Sequence, residues 1–375
     1  MRGMEISDYR IDGPDQLRTK DLATELKNPN FKEAIVNFFI QHWAENHMAP
    51  YMNNKEIYIN CESCYKYQVN DGKIVKTLEP SLTCPAHEEA DTKMIFHVSQ
   101  LKFDANITIR CSDTDVLIIM LGNMSQIRYN HHIHMEVGTG NHHRFIDVTK
   151  LFDTLGKDVS EALPAFHAFT GCDFNPSFFR KGKKRPLAIM RESSRFIEAF
   201  TQMSMPSHEK SEPFKVIEEY ICAVYGFKTL QKVNQAREAT FHKNYKIGRN
   251  DVFELPKTNI DGSSLPPCQA ELVNQFSRAC YISETWAHAH LKVPNGNDPS
   301  EYGWTQVNDT FRYIWFTGRQ LPVSVDDITM QPEEDNISDD DDLISQASSD
   351  SESECDDQDN DSCTSHSEDE IDDEQ

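Results

Sequence analysis

The charges of this chain are sorted along it, and the sorting fixes where a fold can exist. Lysine and arginine stop at Arg319, while residues 326–375 hold 22 of the 61 acidic side chains. That stretch is mostly Asp, Glu and Ser without an aromatic residue, so it cannot bury a core and is expected to be a disordered acidic tail. Ser338, Ser349, Ser351 and Ser353 each have an acid three positions on, the pattern acidophilic kinases prefer. A basic protein partner would suit such a tail, as would a plain solubilising role. Residues 1–325 keep 39 acidic against 37 basic groups, a net of −2 out of the total −24. The part that folds is nearly neutral, so the overall acidity excludes nothing about nucleic acid.

Other classes fall away quickly. No run approaches the ~18 apolar residues of a membrane span, and the N-terminus lacks the apolar centre of a signal peptide. The ten cysteines are spread thinly, with no dense disulfide framework. An intracellular, nuclear protein with free thiols is expected.

Periodicity then divides the chain. Phe31, Ile35, Phe38, Phe39 and Trp43 fall at helical spacing, and 56–69 reads as a strand or hairpin. A helix starts near Glu88, a strand covers 105–111, and the apolar stretch 116–121 follows a polar SDTD corner. Strands at 133–138 and 143–148 and helices at 148–155 and 159–170 come next. This alternation predicts an α/β domain with a largely parallel sheet flanked by helices. Residues 191–325 read as a mainly helical extension, with 292–325 irregular and Trp304 and Trp315 folding back on the body. The expected domains are 1–55, a helical N-terminal remnant; 56–190, the core; 191–325; and the tail, 326–375.

Three short acidic clusters stand at element boundaries of the core. They are Glu88–Asp91 (EEAD) at a helix start, Asp113 and Asp115 after the 105–111 strand, and Asp173 in TGCDF. Alone, each is most often a cap or a turn. Beyond the carboxyl ends of strands in an open sheet, however, acids from separate segments can converge. Converging carboxylates repel unless a cation sits between them, and hard oxygen ligands suit Mg²⁺ or Mn²⁺.

The order HEEADTKMIFH, ITIRCSDTDVLII, LPAFHAFTGCDFNPSFFRKGKKRPLAIM, over roughly residues 85–190, resembles the flap endonuclease and exonuclease family of PIN-like nucleases. That family carries E-A-[DE]-A at a helix start, E-D-x-D after a strand, S-G-C-D-Y, and a G-I-G-x-K-R-A turn. A mobile-element-associated branch of PIN-like proteins reads closer still, with EEADT, SDTDVLI, LTGCD and FFGKGK. The resemblance implies a PIN-like fold and a two-metal site of Glu89, Asp91, Asp113, Asp115 and Asp173. It further implies a nuclease acting on branched or single-stranded nucleic acid, DNA before RNA. The family also begins with a strand and a loop that each supply an Asp. Residues 1–83 show no counterpart, and Asp8 and Asp12 do not qualify. The N-terminal part of the domain is therefore expected to be missing. The alternative is a catalytically inactive nucleic-acid-binding or interaction protein derived from such a nuclease.

After the clusters comes a basic turn, Arg180, Lys181, Gly182, Lys183, Lys184 and Arg185, a candidate grip on the phosphate backbone. Gly182, Lys184 and Arg185 match the family's G-x-K-R. Cys61, Cys64, Cys84 and His87 have the spacing of a Cys₃His zinc site. Against zinc, the pairs flank strands and cysteine is common as a small buried residue, so burial is the preferred reading. Cys172 with His167 has the residue types of a thiol nucleophile pair, but GCD resembles a metal-site turn.

Overall fold

In the computed structural model, which describes residues 9–17, 21–206, 209–244, 262–308 and 310–318, the chain opens with three helices. They are α1 (Leu22–Glu25), α2 (Pro29–His42) and α3 (Ala49–Met52). Asn28 starts α2 by accepting from Asn30 N at 2.9 Å, with Pro29 pre-set for the first helical position. The 56–69 segment is two strands, β1 (Ile57–Asn60) and β2 (Cys64–Asn70), and a third, β3 (Lys73–Leu78), completes an antiparallel sheet.

The core follows as α4 (Ala90–Ser99), β4 (Ala105–Arg110), α5 (Thr114–Asn123), β5 (His131–Val137), β6 (Arg144–Asp147), α6 (Val148–Leu155) and α7 (Lys157–Thr170). The apolar run 116–121 lies inside α5. Its composition would also fit a buried strand, but Asp113 accepts from Asp115 N at 2.9 Å and starts a helix there. Strands β4 and β5 are parallel with α5 crossing between them, whereas β5 and β6 are antiparallel. The largely parallel sheet expected from the sequence is therefore corrected to a three-stranded mixed sheet, order β4-β5-β6. Only residues 138–143 separate β5 from β6, and a parallel return needs a crossover of about a dozen residues or more.

The helices α8 (Lys184–Arg191), α9 (Ser194–Met203), α10 (Ser211–Val224), α11 (Val233–Asn244) and α12 (Gln269–Ala287) come next. The segment expected to be irregular contains a hairpin, β7 (Trp304–Val307) and β8 (Thr310–Tyr313). Trp304 is buried as expected, but Trp315 stands 56% exposed. Residues 1–320 form one compact unit, mixed α/β in class, and no described helix is long and apolar enough to cross a membrane. The acidic tail, with its candidate kinase sites, lies outside the described residues.

Helix α7 is the centre of the core. Ten of its 14 residues are buried, and α5, α9 and α12 all touch it. Gly122 lets α5 approach closely, since a Cβ there would lie 2.4 Å from Pro164 Cγ. Asn123 pins the same region, donating through Nδ2 to Ile119 O and Trp286 O, both at 2.8 Å. Gly122→Ala should therefore destabilise the protein by about 1–3 kcal/mol through overpacking. Gly182→Ala, where a Cβ meets nothing within 4 Å, should stay within about 0.5 kcal/mol of wild type. Urea denaturation of the two variants checks the pair.

Candidate metal centre

Two helix N-termini deliver four of the acids. Glu89 is the residue before α4, in extended backbone, and its side chain makes no capping hydrogen bond. Asp91 sits in the first turn of α4, Asp113 caps α5 and Asp115 lies in the first turn of α5. The fifth, Asp173, is held in a tight turn after α7, where Cys172 and Asn175 exchange backbone hydrogen bonds of 2.9 and 3.2 Å. Gly171 makes that turn possible. Its φ is +122°, and a Cβ would fall 2.7 Å from Ser177 Cβ.

These groups feel one another. Burial and the charges of Asp91, Asp115, Asp173 and Glu88 push the Glu89 carboxyl up to about 7. Burial and the charges of Asp113, Asp115 and Asp173 raise Asp91 too. The five acids named from the sequence are thus gathered in one electrostatic environment. Their spacing is open: among the described residues no three of them place oxygens within 4.8 Å of one another. Mutually repelling hard oxygen donors are the type of group that a divalent Mg²⁺ or Mn²⁺ pairs with, so the donor type, though not the spacing, suits such ions.

One cation is already built in, at Lys183, which the sequence grouped with the phosphate-binding turn. Lys183 Nζ donates to Gly171 O at 2.5 Å and lies 2.8 Å from His167 Nδ1. His167 Nε2 faces Asp115 Oδ1 at 2.8 Å. Lys183 Nζ also lies 2.9 Å from His167 Nε2, so the ammonium sits against the imidazole edge that faces Asp115. The result is a chain from Asp115 through His167 and Lys183 to the Asp173 turn. Burial pulls the Lys183 ammonium down to about 8, against the opposing pull of Asp115.

The basic turn is therefore not uniform. Arg180, Gly182, Lys184 and Arg185 are exposed. Lys181 Nζ packs 4.2 Å from the Tyr225 ring centroid, and Lys183 points inward to His167. A run of basic letters carries no direction, which is why the sequence grouped all of them. Cys172 is no nucleophile in this state: burial pushes its thiol up to about 11, far from the thiolate.

Of the four candidate zinc residues, Cys84 and His87 are engaged in other contacts. Cys64 and Cys84 are fully buried, and burial lifts both thiols. Asn60 Nδ2 contacts Cys84 Sγ at 3.3 Å, and His87 Nε2 donates to Leu291 O at 2.8 Å. Among the described residues, one trio of metal-type ligand atoms lies within 4.8 Å, namely His42, Glu45 and His47, and none from the cysteine set joins such a trio. The His42 trio is a local surface arrangement, with each imidazole 3.2–3.4 Å from a different oxygen of Glu45.

Other supports come from α12, far away in sequence. Gln275 Nε2 donates to Phe169 O and Pro176 O, both at 2.9 Å, and Arg278 Nε donates to Asn175 Oδ1 at 3.0 Å. Searches against protein-family models, curated proteins and solved structures found no match to this chain.

The raised Glu89 carboxyl sets a pH dependence. Below its ordinary value of 4.5 it is protonated folded or unfolded, and it has no effect. Between there and about 7 the unfolded chain ionises first, so stability falls as pH rises and then levels off. In chelator, the melting temperature of Glu89→Gln minus that of wild type should be near zero at the acid end of this window. It should grow through the window and plateau above it. A flat difference would mean that Glu89 is not held in the acidic cluster.

Proposed function

We propose that this chain is a metal-dependent nuclease of the flap-endonuclease-like, PIN-like class, acting on phosphodiester bonds of branched or single-stranded nucleic acid. The observation that carries the reading is the convergence of Glu89, Asp91, Asp113, Asp115 and Asp173, from three separated segments, in one electrostatic environment. Four of them stand at the N-termini of α4 and α5. The β4–α5–β5 unit, with Asp113 beyond the end of β4, supports the PIN-like assignment. A nuclear location accords with DNA as substrate.

Mg²⁺ or Mn²⁺ held by these five carboxylates would supply Lewis-acid stabilisation of the charge that develops on a phosphodiester. The chain's own groups set the rest. His167 fixes one oxygen of Asp115 by a 2.8 Å hydrogen bond, leaving the other oxygen free for a ligand. Arg180, Lys184 and Arg185 present positive charge to a phosphate backbone next to the site. Lys184 and Arg185 lie in the first turn of α8, where the helix dipole disfavours cations and an arriving anion would be welcome.

A second reading is a nucleic-acid-binding protein without catalysis. It is favoured by the open spacing of the carboxylates and by the exposure of Asp113 and Asp173.

Mutants separate the roles. Asp113→Asn should abolish cleavage in Mg²⁺ or Mn²⁺ while sparing or strengthening binding, because it removes a ligand and a negative charge. Lys184→Ala with Arg185→Ala should weaken binding and reduce the slope of log K against log salt by about 1–2, as fewer counterions are released. Lys183→Met should leave that slope unchanged, since its ammonium is turned inward. Cleavage that persists in chelator, or in Asp113→Asn, would remove the carboxylates from the chemistry. Salt-sensitive binding with no cleavage would select the second reading.

A further inference from the structure

We propose that Trp315, with Tyr313 beside it, is a stacking platform for an unpaired nucleobase at the rim of the carboxylate site. The proposal rests on the nucleic-acid reading above and narrows its ligand to a strand with exposed base faces.

Trp315 is a large aromatic side chain left 56% exposed, yet its surroundings hold it firmly. Its ring centroid lies 5.1 Å from that of Tyr313 at an interplanar angle of 68°. The Arg278 guanidinium carbon stands 5.1 Å from the Tyr313 ring and 5.8 Å from the Trp315 ring. Its neighbours are held on both sides, through the backbone of Ile314 before it and the side chain of Thr317 after it. Arg278 Nη1 donates to Ile314 O at 3.0 Å, Ile314 N donates to Gly303 O at 2.9 Å, and Asn274 Nδ2 donates to Thr317 Oγ1 at 3.0 Å. An exposed indole pinned in this way is pre-organised, so a base stacking on it costs little ordering.

The platform is continuous with the acidic site. Arg278 is 1% exposed, and its Nε holds Asn175 Oδ1 at 3.0 Å. Asn175 closes the turn that carries Asp173. Burial raises the Tyr313 hydroxyl, with the Asp173 carboxylate adding to the rise and Arg278 opposing it. One buried guanidinium thus supports both the ligand turn and the aromatic pair. Beside Asp173, Phe174 adds a further ring, 41% exposed.

This combination selects a ligand class. Phosphates are drawn to the basic turn and repelled by the carboxylates, whereas a flat, uncharged base suits an indole face. Within a continuous duplex both faces of each base are already stacked. A single strand or a flap offers free ones.

The test measures binding by the full chain in chelator, so that cleavage plays no part. The probes are a fluorescein-labelled oligodeoxythymidylate and a blunt duplex of equal length. Trp315→Leu should weaken single-strand binding about ten-fold with an unchanged salt slope, because stacking releases no counterions. Trp315→Phe should stay within about three-fold of wild type, since a flat ring remains. Duplex binding should not change in either variant. Equal affinities of Trp315→Leu and wild type for the single strand would overturn the proposal. So would a parallel loss on the duplex, or no single-strand binding by wild type. The nuclease reading fails separately, by absence of metal-dependent cleavage, and leaves this comparison intact.

Discussion

The contact between Gly122 and Pro164 governs where everything else can sit. A proline inside a helix forfeits a hydrogen bond and tends to kink it, yet Pro164 is buried in the middle of α7. Its ring fills the space that Gly122 leaves open on α5. Residues early in α5 meet residues late in α7, and late meets early, so the two helices run antiparallel. Asp115 near the start of α5 therefore reaches His167 near the end of α7. With the acids of α5 set against the end of α7, the turn holding Asp173 follows immediately. The site is a consequence of a backbone approach that only glycine permits.

Electrostatics then has to accommodate five acids in one place. Each helix N-terminus supplies roughly half a positive charge, and both α4 and α5 point theirs at the cluster. Lys183 adds positive charge beside His167, which hydrogen-bonds Asp115. Burial first, and then the neighbouring carboxylate charges, push Glu89 to about 7 and shift Asp91 upward. A stability optimum would neutralise these groups or move them apart. Their retention in a half-buried position is a strain on folding that a ligand of opposite charge would relieve.

Some of this was written plainly in the sequence. Helix α6 is legible because Asp147 caps it, with Oδ1 accepting from Lys150 N at 2.8 Å, and Gly156 ends it at φ +80°. The acidic residues were legible because short polar runs interrupt apolar periodicity at element boundaries. The direction of β6 was not, since strand pattern is the same in both orientations and only the short connection decides. Nor was the inward turn of Lys183. The five basic residues in 180–185 look alike in composition, and the turn geometry, with Arg180 at φ +53°, sorts them. The hairpin at 304–313 escaped because its strands are four residues each, too short for alternation to register.

The least legible part is the support for the Asp173 turn. Asn175 is fully buried and donates to Ala168 O at 3.0 Å and to Gln275 O at 3.1 Å, while its oxygen accepts from Arg278. Two of those partners lie about a hundred positions away on α12. Without α12 that amide would lose the acceptor and the donor it finds there, and buried polar groups left unpaired are expensive. The stretch 85–190 therefore contains the carboxylates but not the means of holding them. The helical extension supports the carboxylate cluster in a physical sense: it carries the buried guanidinium that holds the Asp173 turn on one side and stands beside the exposed indole on the other. A change at Arg278 should accordingly be felt at both places together, whereas a change at Trp315 should be felt only at its own surface.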